Sequence, residues 1–204
     1  MKLRAKEILR TTGFMGVLSF VLITAVSALH LATAQRVGRN TNLFLQRAVL
    51  DAAGVPVPSD PAATAELFQK LVTADPAGNP DRFVVRQPAN GDRLAIVYRR
   101  TGRGLWGAIS AVIAANPATG AFGQMRFLEH NETPGLGARI DEPWFKQQIE
   151  GKTGPFVLKP EGTRSTAATE IDAITGATIS SAAVRDMLND VVRIVADEKE
   201  SASQ

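Results

Sequence analysis

The chain contains no cysteine and only two histidines, His30 and His130. The absence of cysteine excludes disulfide bonds, iron–sulfur clusters and thiolate metal sites within this chain. The two histidines lie in different kinds of segment, so they do not supply the ligand set of a histidine-rich metal site. Any redox chemistry must therefore come from a bound organic cofactor.

The chain also has little net charge. Its formal charge is +3 over 204 residues, and no basic run interleaved with aromatic residues follows the N-terminal segment. This pattern argues against a nucleic-acid partner. The length fits one compact domain with some sequence left over, since domains usually have about 100–200 residues.

Charged residues are absent from the stretch "TTGFMGVLSFVLITAVSALHLATA", residues 11–34. This stretch is long enough to cross a membrane, which takes roughly 20 apolar residues as a helix. Four basic residues precede it in "MKLRAKEILR". The pattern predicts a cytoplasmic segment 1–10, a transmembrane anchor 11–34 surrounded by lipid in a bacterial inner membrane, and a periplasmic remainder.

A cleaved export signal would use the same basic and apolar regions. The small residues "ATA", 32–34, have the pattern of a signal-peptidase site. The apolar run is longer than the usual signal core of about 7–15 residues, and this length favours the anchor. Either alternative exports the rest of the chain.

Residues 35–81 are predicted to be a helical connector. The stretch 36–53 has apolar residues at helical spacing, and "AATAELFQKLVT", 62–73, predicts a short helix capped by Ser59 or Asp60. Three prolines in "GVPVPSDP" separate the two helices.

Residues 82–199 are predicted to form an α+β domain, with an antiparallel sheet flanked by helices and a tail at 200–204. One hairpin turns at "ANGD", 89–92, and a second turns at "NPATG", 116–120. The first strand of the second hairpin is apolar throughout, which predicts burial on both faces. A short helix over "EPWFKQQIEG" and a long amphipathic helix after residue 180 complete the domain.

The hydroxyl-rich stretch "DAITGATISS", 172–181, precedes the long helix. The plain interpretation is a helix start at or just after Ser180 or Ser181, whose hydroxyls would cap first-turn amides. The alternative is an anion site, because a helix N-terminus stabilises a phosphate. Gly176 permits positive φ and would leave Thr178 exposed at the tip of the turn. These residues alone leave both interpretations open.

The stretch "DAITGAT" resembles the pattern Asp-x-x-(Ser/Thr)-Gly-Ala-Thr of the FMN-binding domains in membrane electron-transfer complexes. It is similar to the flavin-carrying subunits of the sodium-pumping NADH:quinone oxidoreductase and of Rnf-type ferredoxin:NAD oxidoreductases. The matching residues are Asp172, Thr175, Gly176, Ala177 and Thr178. The resemblance implies that a flavin transferase joins FMN to Thr178 by a phosphodiester bond and that Asp172 belongs to the signature it reads. Ser180 and Ser181 would then lie beside the phosphate.

A second stretch, "NETPGLGARIDEPWF" at 131–145, is similar to the family's Glu-Thr-Pro-Gly-Leu-Gly loop, and "GLWGAI", 104–109, resembles its preceding strand. The resemblance covers roughly residues 105–195 together with the anchor. It implies that the loop holds the flavin ring; without the first motif, a tight turn is the plainer interpretation. The candidate contacts are Glu132, Thr133, Pro134, Gly135, Leu136, Gly137 and Trp144, with Trp106 a weaker candidate than Trp144.

The function that the resemblance implies is electron carriage by covalent FMN within a membrane ion-translocating oxidoreductase complex. The partners would be the other subunits and the flavin transferase, and no side chain would act as acid, base or nucleophile on a diffusing substrate. Two alternatives stay open: a free-standing anchored flavoprotein, and a non-redox membrane-tethered module that holds an anion without a covalent bond. The sequence leaves the choice between the two kinds of complex open.

Overall fold

The computed structural model describes residues 2–75, 78–87 and 93–202. The first helix, α1, is continuous over Lys2–Ala52. One apolar window within Lys6–Ala52 has a mean hydropathy of 2.1, and none of it is buried. By length and composition this helix is able to cross a membrane, and a signal sequence would satisfy the same two criteria.

A five-stranded antiparallel sheet forms the centre of the domain that begins at Leu43, with strand order β1-β2-β3-β4-β5. The strands are β1 (Val72–Ala74), β2 (Arg82–Arg86), β3 (Arg93–Arg103), β4 (Ala108–Ala115) and β5 (Phe122–Glu129). Both predicted hairpins are present as β2–β3 and β4–β5. The turn "ANGD" lies outside the described residues. In the other turn, the Asn116 side chain accepts hydrogen bonds from the amides of Ala118 and Thr119.

The remaining elements lie around this sheet. They are α2 (Pro61–Leu71), a 3-10 helix (Gly137–Asp141), α3 (Pro143–Gln147), the parallel pair β6 (Val157–Lys159) and β7 (Glu170–Asp172), and α4 (Thr178–Ala202). Asp60 is one of the two predicted caps of α2, and it accepts a hydrogen bond of 2.8 Å from the Ala63 amide. The predicted connector 35–81 also contains β1, and residues 200–202 of the predicted tail belong to α4.

The sheet is buried on both faces, and β4 shows this most clearly. Its residues alternate between two apolar clusters: Ala111 and Ile113 belong to a cluster with α4 and α3, whereas Val112 and Ala114 belong to a cluster with the end of α1. The prediction of a strand buried on both faces is confirmed. The cluster beneath α4 holds the start of this helix in place, and the candidate site lies there.

Candidate functional site

The two stretches that carry the resemblance meet in the folded domain. Loop 131–137 follows β5, and loop 173–177 leads from β7 into α4. The Ser180 hydroxyl donates a hydrogen bond of 2.5 Å to the Glu132 carboxylate, 48 positions away in the sequence. The Leu136 side chain reaches the other loop, since its Cδ2 atom lies 3.2 Å from the position that a Cβ atom would take on Gly176.

Glu132 joins three segments of this site. Only 6% of its surface is exposed, so it does not face water, a possibility that the sequence leaves open. Its second oxygen accepts a hydrogen bond of 3.1 Å from the Trp106 backbone amide. A Cβ atom added to Gly104 or to Gly137 would lie 2.4 Å from a Glu132 oxygen. Because a buried carboxylate is costly without hydrogen bonds, these contacts fix the turn 104–107, the loop and α4 against one another.

Residues 133–136 form an exposed tip between Glu132 and the 3-10 helix. The Thr133 carbonyl accepts hydrogen bonds of 3.1 Å from the amides of both Leu136 and Ala138. Gly135 has a φ of 76°, which glycine adopts without strain. The loop is thus a tight turn, and its tip, including Pro134, is open to a ligand.

Thr178 is the first residue of α4 and is exposed. Within the described part of the chain, its hydroxyl has no hydrogen-bond partner, and neither do the backbone amides of Thr178, Ile179 and Ser180. Gly176 has a φ of 78°, and Ala177 is buried behind it. The turn therefore presents a free hydroxyl beside the unsatisfied amides of a helix N-terminus, which favour an anion.

The prediction that Ser180 or Ser181 caps the helix is wrong, because α4 begins earlier, at Thr178. Both serines lie inside the first turn and are buried. Ser180 donates to Glu132. The Ser181 hydroxyl accepts a hydrogen bond of 2.9 Å from the Ile174 amide and donates one of 3.0 Å to the Ala177 carbonyl. These bonds hold the preceding turn in place. Neither serine hydroxyl accepts a hydrogen bond from an amide of the first turn of α4.

Asp172 lies at the end of β7 and is 5% exposed. One oxygen of its carboxylate accepts hydrogen bonds from the backbone amides of Gly162, at 2.9 Å, and Arg164, at 3.0 Å. Arg164 has a positive φ of 50°, an uncommon conformation for a residue with a side chain. The structure thus assigns Asp172 a role in shaping the loop after β6, and its recognition by a transferase stays a prediction.

The loop shaped by Asp172 carries Glu161, a residue that sequence reasoning missed. Glu161 accepts a hydrogen bond of 2.7 Å from the Thr175 amide. It also accepts two bonds, at 2.7 and 3.2 Å, from the Arg139 guanidinium. Its partners lie 14 and 22 positions away, and no local pattern in the sequence indicates such contacts.

We expect Glu161 to make the stability of the domain depend on acid pH. Hydrogen bonds from Arg139, and then from Thr175, lower its pKa from the ordinary value of 4.5 to about 2. Because the folded pKa is the lower one, ionised Glu161 stabilises the fold above about pH 4.5, and this contribution is lost as the pH falls towards 2. Thermal unfolding of Glu161→Gln should show a small loss of Tm at neutral pH that disappears near pH 2. A loss that does not change with pH would contradict this expectation.

The two tryptophans differ in exposure and in their contacts with the site. Trp144 is half-buried, its indole N–H donates to Glu142, and the Arg139 guanidinium lies 5.6 Å from the centre of its ring. Trp106 is 66% exposed, and its backbone is bonded to Glu132. The stretch "GLWG" also forms a turn, because β4 begins only at Ala108. The structure thus brings Trp106 to the loop, while the flavin contact predicted for Trp144 stays a prediction.

The part of the chain that contains this site is similar to known proteins. Residues 104–193 match the FMN-binding domain family. The chain is 32% identical over 128 residues to a subunit of the ion-translocating oxidoreductase complex of Methanosarcina acetivorans, covering 61% of this chain and 64% of that protein. It is 27% identical over 191 residues to a subunit of the Na(+)-translocating ferredoxin:NAD(+) oxidoreductase complex of Acetobacterium woodii, covering 88% and 89%.

The fold resembles that of a solved structure. The crystal structure of Shewanella oneidensis NqrC superposes with a TM-score of 0.61 at 21% identity, covering 75% of this chain and 96% of the other. The α+β prediction is confirmed by this likeness. The homologues are thus subunits of ion-translocating oxidoreductase complexes, and the region of this chain that contains both loops, residues 104–193, matches the FMN-binding domain family.

Proposed function

We propose that this chain is the electron-carrying subunit of a membrane ion-translocating oxidoreductase complex, with FMN joined by a phosphodiester bond to Thr178. The observation that carries the proposal is the free, exposed hydroxyl of Thr178 at the start of α4, within an FMN-binding domain. The relatives are themselves subunits of such complexes, which supports assembly with other subunits.

The residues around Thr178 fit both parts of FMN. The unpartnered amides at the start of α4 favour its phosphate. Large apolar side chains are unusually exposed on the three segments that Glu132 joins: Leu105 (55%), Trp106 (66%), Leu136 (46%) and Ile179 (53%). Exposed apolar side chains beside a few polar groups are typical of a ligand surface. When bound, FMN would supply the electron transfer, and the side chains would hold its ring and limit its contact with water.

Attachment requires the flavin transferase and an activated flavin nucleotide. The Thr178 oxygen forms the new bond to phosphorus, and the leaving group of the nucleotide departs from phosphorus with the bonding electrons and takes up the proton of the hydroxyl, directly or through solvent. No electron is gained or lost in this step. The tether keeps the cofactor on the subunit through repeated redox cycles.

The N-terminal segment indicates where the protein lies in the cell. The apolar span 11–34 within α1 is the anchor in a bacterial inner membrane, in contact with lipid. The basic residues before it favour a cytoplasmic N-terminus and, on this proposal, an FMN-binding domain in the periplasm.

Purification from the native membrane tests this proposal. The chain is tagged, extracted in mild detergent, and separated from co-purifying subunits on a denaturing gel that is read for flavin fluorescence. We expect fluorescence in the band of this chain, accompanied by integral membrane subunits. A fluorescent band without partners would contradict the assembly and favour the free-standing flavoprotein. A band without fluorescence would contradict covalent attachment and favour the tethered binding module.

A further inference from the structure

We propose that Glu161, held by Arg139, is a positioning residue that fixes the turn before α4 and so presents Thr178 for flavin attachment. This inference rests on the proposed covalent bond to Thr178. It concerns Glu161, which lies outside both motifs, and Arg139, which lies within the stretch 131–145 but is not among its candidate flavin contacts. It assigns both residues an effect on the rate of modification of Thr178, a residue that neither of them contacts.

The turn before α4 needs anchoring from outside. Gly176 is exposed and has no side chain with which to pack. At the base of the turn, the Ile174 amide donates to Ser181 and the Ala177 amide donates to the Ile174 carbonyl. On the exposed side, the anchor is the hydrogen bond of 2.7 Å from the Thr175 amide to Glu161. Without this bond, the tip carrying Gly176 loses the hydrogen bond that ties it to the loop after β6, and its position relative to the start of α4 is less constrained.

Arg139 fixes the position of the Glu161 carboxylate. Its two terminal nitrogens donate one bond to each oxygen, an arrangement that is stronger and more directional than a single contact. The two side chains are only 25% and 26% exposed. Arg139 is itself held, because Glu142 lies 3.4 Å from its Nε atom and its guanidinium lies over Trp144. Because the Arg139 side chain is already held by these contacts, it loses little further conformational freedom when it binds Glu161.

Arg139 also connects the two loops of the site. It lies on the 3-10 helix Gly137–Asp141, whose first residue packs against Glu132 and Ser180. The 3-10 helix thus contacts Glu132 and Ser180 through its first residue and Glu161 through Arg139. The first contact constrains the start of α4, and the second constrains the turn that precedes Thr178.

The expected consequence is a slower attachment reaction. Group transfer depends on the alignment of the attacking oxygen with phosphorus, and a misplacement of about 1 Å can cost up to about 100-fold in rate. We expect Glu161→Ala to slow flavin attachment by about 10-fold or more, within this range. Glu161→Gln keeps an oxygen that accepts the Thr175 bond but loses the ion pair, so an intermediate rate is expected.

The test uses the full-length chain in detergent, incubated with the flavin transferase and an activated flavin nucleotide. Attachment is followed in time by fluorescence on denaturing gels, and the Tm of each variant is measured in parallel. Glu170→Ala is the matched control. Glu170 forms an ion pair of 3.1 Å with Lys159, and the side chains of Lys159 and Glu170 are 38% and 29% exposed. Within the described residues, neither of these two side chains bonds to loop 173–177.

The outcomes separate the inference from the function on which it rests. Slow attachment in Glu161→Ala, partial rescue in Glu161→Gln and a normal rate in Glu170→Ala would support the inference. Equal rates in the wild type and Glu161→Ala would overturn it and leave the flavin on Thr178 intact. Equal slowing in Glu161→Ala and Glu170→Ala, with the Tm of both variants lowered to the same extent below that of the wild type, would also overturn it, since it would show a general loss of stability. A wild type that gains no flavin would overturn the proposed function as well.

Discussion

Replacing Thr178 with alanine is expected to abolish covalent flavin completely, because the variant lacks the oxygen atom that forms the phosphodiester bond. The side chain is exposed and makes no hydrogen bond with the described residues, so its loss should leave the fold and the Tm almost unchanged. The measurement is in-gel flavin fluorescence of full-length chain made together with the flavin transferase. A near-zero signal beside a normal protein band is the expected result.

Two other threonines provide the controls. Thr166 is also exposed, and Thr166→Ala should keep the full signal. Thr175→Ala keeps the backbone amide that bonds to Glu161, so it should still acquire flavin. Fluorescence that persists in Thr178→Ala, or that is lost only in Thr175→Ala, would show that the acceptor oxygen has been assigned to the wrong residue.

Replacing Gly137 with alanine is expected to destabilise the domain by about 2–4 kcal/mol. The added Cβ atom would lie 2.4 Å from a Glu132 oxygen and 2.6 Å from the Ser180 hydroxyl. The Glu132 carboxylate would have to move and give up hydrogen bonds while it stays buried. The Tm should fall by roughly 4–16 °C for a chain of this size, and calorimetry or circular dichroism in detergent would measure it. Flavin attachment should also slow, because Glu132 no longer fixes α4.

A control substitution at a glycine outside the site measures the cost of backbone strain without a steric clash. A Cβ atom on Gly151 would meet nothing within 4 Å, but Gly151 has a φ of 78°. Gly151→Ala should therefore cost only the strain, about 1–2 kcal/mol. In a double-mutant cycle, Gly137→Ala should cost less when Glu132 is already alanine, since the Glu132 oxygen that clashes most closely is gone and only the contact with the Ser180 hydroxyl remains among the clashing oxygens. Strictly additive effects would contradict the packing described here.

Much of the fold follows from patterns that span only a few residues. The apolar run of β4 predicts burial on both faces, and the structure places Val112 and Ile113 in different clusters. Asp60 followed by Pro61 predicts the start of α2, because an acceptor and a fixed φ both suit a helix N-terminus. The meeting of loop 131–137 with Thr178 does not follow from such patterns. It rests on the resemblance to a known family, and the Glu132–Ser180 bond gives it a physical basis.

The remaining differences come from contacts between distant parts of the chain. "TISS" offers three hydroxyl residues, each of which is able to cap a helix, and local preference does not choose between them. The packing of Ala177 and the bonds of Ser181 place the start of α4 at Thr178. The importance of Glu161 and Arg139 depends on a pairing across 22 positions. The exposure of Trp106 depends on the turn that precedes β4.

The most direct test of the account is the mass of the intact chain after co-production with a flavin transferase, followed by mapping of the modified peptide. The account predicts an increase equal to one esterified FMN, located on the peptide that contains Thr178. A mass equal to that of the bare polypeptide, or a flavin on any other residue, would contradict it.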